Sequence, residues 1–133
     1  WISRIGEQRA LIIEYFGLIV IFVAYAFVES AILASALYII DHLLFSMAIA
    51  IKTYFQKIAD PKDIASTAGV SFTINHIAAV VIPALLGLVW LNSPSLVFLS
   101  GAAFGCCSLV LAILIPNTPL KGFETRYRQF NYK

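Results

Sequence analysis

The sequence predicts an all-α integral membrane protein of four transmembrane helices running up and down, on three observations. Four long apolar runs, residues 10–28, 31–51, 64–91 and 95–115, each come to the roughly 20 residues that a helix needs to cross a hydrocarbon core about 30 Å thick. All nine Lys and Arg residues fall in alternate gaps between those runs. Hydrophobic residues make up 61% of the chain and charged ones 12%, with a mean hydropathy of +0.90. A soluble domain carries about 25% charged residues, so too little polar surface is available here to cover a globule in water.

The charge split also orients the chain. Arg4 and Arg9 precede the first run, Lys52, Lys57 and Lys62 lie between the second and third, and Lys121, Arg126, Arg128 and Lys133 follow the fourth. The remaining gaps, around Glu29 and at Asn92-Ser93-Pro94, contain neither Lys nor Arg. Short cytoplasmic loops carry such an excess. Both ends of this segment are therefore expected in the cytoplasm, with residues 116–133 as a basic cytoplasmic tail, in a plasma membrane or bacterial inner membrane. The net charge of +2 is divided among three short segments that suit anionic lipid headgroups and form no nucleic-acid patch. The lipid bilayer is the expected partner.

Each connection has its own chemistry. Val28-Glu29-Ser30 is a short hairpin, and Asn92-Ser93-Pro94 places Pro94 at a helix start. The middle connection begins by extending the second helix into the headgroup zone, with Tyr54 and Phe55 at the interface. Pro61 then forces Asp60 out of the helical region, and Asp63 is expected to cap the third helix. Short loops between long helices make antiparallel neighbours.

Polar residues inside the runs are the candidate functional groups. Asp41 sits at the midpoint of the second run, where an ionised carboxylate costs at least about 2.5 kcal/mol; such residues face a cavity or the bundle interior and often mark an ion path. Ser35, Tyr38, His42 and Ser46 recur on one helical face of the same run, with His42 about 100° from Asp41. The third run carries Thr67, Ser71 and Asn75 at spacing four, with His76 adjacent. Ser and Thr in such positions also bond back to their own helix. Glu14, one turn inside the first run, is expected to reach water or pair with Arg9 or a lysine of the middle connection.

Pro83 removes a backbone donor and frees the carbonyl of Ala79, so a kink is expected there. Gly101 and Gly105, continued by Ser108 and Ala112, form a small-residue face suited to close packing on the first helix. Adjacent Cys106 and Cys107 are expected as packing thiols without a disulfide. There is no Gly-rich phosphate loop, no His-Glu-x-x-His and no Cys pair at metal spacing, so neither an enzyme nor a resident cofactor is expected.

The opening Ser3-Arg4-Ile5-Gly6-Glu7-Gln8-Arg9 resembles the end of the cytoplasmic loop signature of the major facilitator superfamily, G-x-x-x-D-R-x-G-R-R. Arg4, Gly6 and Arg9 suit the pattern, Ser3 stands at the Asp position, and Glu7 and Gln8 replace basic ones. The signature recurs in that family between helices eight and nine, so the resemblance implies that the four runs are helices nine to twelve of a twelve-helix transporter fold. The third segment, from Ser71 through Asn75 and His76 to Pro83, Gly87 and Trp90, resembles the family's eleventh helix. The resemblance implies that the second and third runs border the central cavity while the first and fourth lie outside it.

The expected function is then that of a fragment of a secondary active transporter, moving a small-molecule substrate by alternating access with proton or ion coupling. Asp41, His42, Tyr38, Ser46, Ser71, Asn75 and His76 are its pathway candidates. The opening reads as the middle of a loop, so the chain is expected to be a piece of a longer protein whose N-terminal helices are its main partner. Two other classes fit the pattern: a four-helix subunit holding haem between His42 and His76, and a membrane scaffold subunit.

Overall fold

The structure is a computed structural model and describes residues 5–117 and 124–125. Among these residues every regular element is helical, and four helical stretches are long and apolar enough to cross a membrane. Helix α1 spans Glu7–Phe27 and α2 spans Ala31–Phe45. A 3-10 turn, Ser46–Ala48, joins α2 to α3, Ile49–Ile58, and the three pieces form one 28-residue stretch. Helix α4 runs over Pro61–Trp90 and α5 over Pro94–Ile113. The sequence-based spans agree to within three residues at seven of their eight ends; the second helix runs on to Ile58.

Local chemistry sets the ends. Gly6 precedes α1 at φ 87°, a left-handed conformation that glycine adopts without penalty. Pro61 and Pro94 open α4 and α5, where a missing N–H costs nothing. The cap of α4 corrects the sequence-based expectation: Asp60 holds it, at ψ 136° with its side chain accepting from the Lys62 backbone N–H at 3.5 Å. Asp63 lies instead in the first turn, where its charge complements the helix dipole. The reason is the proline, which starts the helix at its own position and leaves the preceding residue as cap. Helix α4 continues through Pro83 to Trp90 without a break.

The packing is uneven. Helices α1 and α5 lie against each other along their length. Near one end the Gln8 side-chain amide donates to the Ile113 carbonyl at 3.0 Å; near the other, the Ser95 hydroxyl donates to the Ala26 carbonyl at 2.7 Å. Between them Tyr25 stacks on Phe98 with ring centroids 5.1 Å apart. Glycines make the approach possible: a Cβ on Gly105 would sit 2.9 Å from Ile19 Cγ1, and one on Gly101 would sit 3.5 Å from the Phe22 ring. The small-residue face does what its spacing predicts.

Ala10, Leu11, Ala50 and Ala112 form the buried core, flanked by Ile12, Tyr15, Met47 and Ile115, so α3 and the 3-10 turn close on the α1–α5 pair. Helices α2 and α4, by contrast, contain no buried residue. Helix α4 meets α5 at the Asn92 hairpin, where Trp90 lies edge-on to Phe98 at 5.8 Å. Cys106 and Cys107 are free and exposed, which corrects their expected role as packing thiols: the α1-facing side of α5 is taken by Gly101 and Gly105.

Candidate functional site

The polar residues of the second and third apolar runs sit on α2, the 3-10 turn and α4, the parts of the fold with the least cover. Asp41 is half-buried on α2, with its Oδ2 3.8 Å from His42 Nδ1. The two side chains leave the helix about 100° apart, yet a short carboxylate and a long imidazole still meet at that distance. The rings of Tyr38 and His42, one turn apart on the exposed face, meet at a tilt of 43° with 4.1 Å between centroids. Ser46 opens the 3-10 turn and donates to the Leu43 carbonyl at 2.6 Å; Ser35 donates to Ala31 at 2.9 Å. Both serines thus bond back to their own helix, which weakens their case as free ligands.

On α4 the arrangement repeats. The rings of His76 and Phe72 meet at a tilt of 36° with centroids 3.9 Å apart. Ser71 and Asn75 are exposed beside it, and Thr73 bonds back to the Gly69 carbonyl at 3.1 Å. His42 Nδ1 is 3.1 Å from the Tyr38 carbonyl, and His76 Nδ1 is 3.0 Å from the Phe72 carbonyl. A carbonyl only accepts, so each contact is a hydrogen bond in the tautomer with the proton on Nδ1, which leaves Nε2 as the acceptor. Two imidazoles on different helices therefore present the same nitrogen in the same way. Sequence reasoning placed both histidines but not this tautomer; the aromatic residue four positions before each one is the signal that was available.

The structure does not bring the two polar sets together, because α2 and α4 do not pack along each other. A haem held between His42 and His76 needs their rings to face across a shared interface, and this packing provides none. Pro83 lies within α4, away from both sets in sequence. Of the loop-motif residues, Gly6 sits beside the Asn117 carbonyl and Arg9 is exposed; Arg4 lies outside the described residues, as does most of the basic tail.

A second polar cluster was not legible in the sequence. At the start of α1 the Glu7 carboxylate, 4% exposed, binds Lys57 Nζ at 2.5 Å, and Gln8 reaches Ile113. Tyr54 donates to the Glu124 carbonyl at 2.5 Å, tying α3 to the chain beyond α5. These links join residues 50 to 105 positions apart, so no local pattern announces them. Lys57 is thereby committed to Glu7, and Arg9 is exposed. Among the described residues Glu14 finds no hydrogen bond or ion pair and is 3% exposed, which corrects the expectation that it reaches water or pairs with Arg9 or a lysine.

No protein-family model, curated protein or solved structure matches this chain.

Proposed function

We propose that the chain is the C-terminal four-helix portion of a twelve-helix secondary transporter of the major facilitator type, with no enzymatic activity of its own. It runs up and down through the membrane with both ends cytoplasmic, and the full protein moves a small solute by alternating access coupled to protons or another ion. The observation that carries this reading is the division of labour among the helices. Helices α1 and α5 cover each other and satisfy their polar side chains Gln8 and Ser95 with hydrogen bonds across their contact, while α2 and α4 bury no residue and hold Asp41, His42, Asn75 and His76. A four-helix unit that is complete in itself hides its membrane-embedded polar groups in its own interior. Here they face outward, on the helices that the family resemblance sets against the central cavity, and further helices of the same protein would cover them.

In this reading Asp41 is the coupling group. A half-buried carboxyl at the middle of a span takes up and releases a proton when water access alternates between the two sides. His42, 3.8 Å away and with Nε2 free, accepts a proton or a donor group of the substrate beside it. His76 offers a matching acceptor from α4.

The test is water access in the full-length protein. Cysteines replacing Tyr38, His42, Asn75 and His76 react with small hydrophilic thiol reagents, because a thiol beside a water-filled path ionises. Cysteines at Val20 and Leu111, on lipid-facing surfaces, stay inert. Silence at all four polar positions would mean that these side chains are helix contacts and would remove the proposed path.

A further inference from the structure

We propose that Glu14 is a proton-binding site of the first span, protonated while α1 is packed against the 3-10 turn at Ser46–Ala48 and opening that seam when it ionises. The inference stands on packing within these helices and goes beyond the transporter reading. Glu14 is 3% exposed, and its Oε2 is fully enclosed without a donor. Its neighbours one turn back on α1 are Ala10 and Leu11, at 0% and 1% exposure, which belong to the core cluster with Ala50 and Ala112. One turn forward, Gly17 lies directly under the side chain of Leu44, close enough that any Cβ there would displace it. Buried residues thus flank the carboxyl one turn back, and a closely packed leucine flanks it one turn forward.

Among the described residues, the charged and titratable groups on α1 and on the elements packed against it are bound elsewhere, exposed or beside another group. On α1 itself, Glu7 is bound to Lys57, Arg9 is exposed, and the neutral phenols of Tyr15 and Tyr25 carry no charge. On α2, Asp41 lies beside its neighbour His42, which is exposed. The 3-10 turn has no titratable residue. On α3, Lys52 is exposed, Lys57 serves Glu7, and Tyr54 donates to the Glu124 carbonyl. On α5, Cys106 and Cys107 are exposed. No cation among the described residues compensates an ionised Glu14, so the packed state favours the acid form.

Ionisation draws water to the carboxylate, and the place where the seam can yield is the adjoining helix. A mid-helix 3-10 segment is a common hinge, and Ser46–Ala48 interrupts the second apolar stretch where α1 packs on it. Deprotonation, favoured as pH rises, thus loosens the α1–α3 seam; protonation closes it.

The experiment uses the full chain in lipid vesicles with dicyclohexylcarbodiimide, an apolar reagent that adds to a protonated carboxylic acid and leaves a stable N-acylurea. Peptide mass mapping is expected to find the adduct on Glu14 at acid pH. Its yield is expected to fall about tenfold per pH unit once the group ionises, and no adduct forms there in Glu14→Gln. A second measurement reads the seam itself: Ala50→Cys is alkylated by a hydrophilic maleimide. At alkaline pH it is expected to react faster with Glu14 present than in the Glu14→Gln background, a comparison in which the thiol's own ionisation cancels. No adduct on Glu14 at any pH, a pH-independent adduct, or equal cysteine reactivity in the two backgrounds would overturn the proposal.

Discussion

Replacing Gly105 by leucine tests the central packing of the fold. A Cβ at this position already lies 2.9 Å from Ile19 Cγ1, with the Ile19 backbone nitrogen 4.0 Å away. Ile19 is β-branched and has few rotamers through which to yield. Forcing a side chain into a well-packed contact costs about 1–3 kcal/mol. Against this stands the higher helix propensity of leucine, a gain of up to about 1 kcal/mol over glycine. The upper part of the first range applies, because the leucine must clear both a stiff side chain and the backbone behind it. The net expectation is a loss of about 1–2 kcal/mol, or about 5- to 30-fold in the folding equilibrium. Gly69→Leu on α4 is the control, since nothing lies within 4 Å of its Cβ position. Gly101→Ala is a second control, because 3.5 Å to the Phe22 ring is ordinary contact. The assay is unfolding in lipid–detergent mixtures against increasing denaturing detergent, followed by tryptophan fluorescence. Wild-type stability in Gly105→Leu, or an equal loss in Gly69→Leu, would refute the assignment of the α1–α5 seam.

Three further expectations follow from individual contacts. Lys57→Ala strands the buried Glu7 carboxylate and should cost about 1–3 kcal/mol in the same unfolding assay, whereas Glu7→Gln, which leaves only a half-exposed lysine, should cost less. Equal losses would show that the pair acts through packing alone. Ser95→Ala removes the hydroxyl that binds the Ala26 carbonyl and should cost about 0.6 kcal/mol, the usual value for such a bond between membrane helices; a loss above about 2 kcal/mol would show a wider rearrangement. In the full-length protein Asp41→Asn should abolish accumulation of solute against a gradient while exchange continues, because an amide keeps the shape of the acid and releases no proton. Uphill uptake with unchanged pH dependence in that variant would make Asp41 a structural partner only.

The helices were legible because bilayer thickness acts on composition alone. A run of about 20 apolar residues is visible without any knowledge of its neighbours. The α1–α5 contact was legible for a related reason, since Gly101 and Gly105 at spacing four mark a face that admits a backbone. What stayed hidden depends on residues distant in the chain. Glu14 was expected to reach water or pair with Arg9 or a lysine of the middle connection, but it is buried, Arg9 is exposed and Glu7 takes Lys57, an outcome decided by how α3 lies across the start of α1. The Asp60 cap was misassigned for a local reason, the proline's preference for the first helical position outweighing the acidic residue two places later. The candidate path was legible as two stripes of side chains, and their common tautomer emerged only from the ring positions.

Orientation in the membrane is the claim on which the proposed function rests, because the proposed cytoplasmic ends and outward hairpins are both drawn from the charge split. It is measured with single cysteines at Glu29, Lys57 and Ser93 in a background lacking Cys106 and Cys107, using a membrane-impermeant thiol reagent on intact cells. Labelling of positions 29 and 93, with position 57 labelled only after the cells are opened, is the result expected from nine basic residues on one side and none on the other. Labelling of position 57 in intact cells while 29 and 93 stay silent would invert the chain and contradict the account.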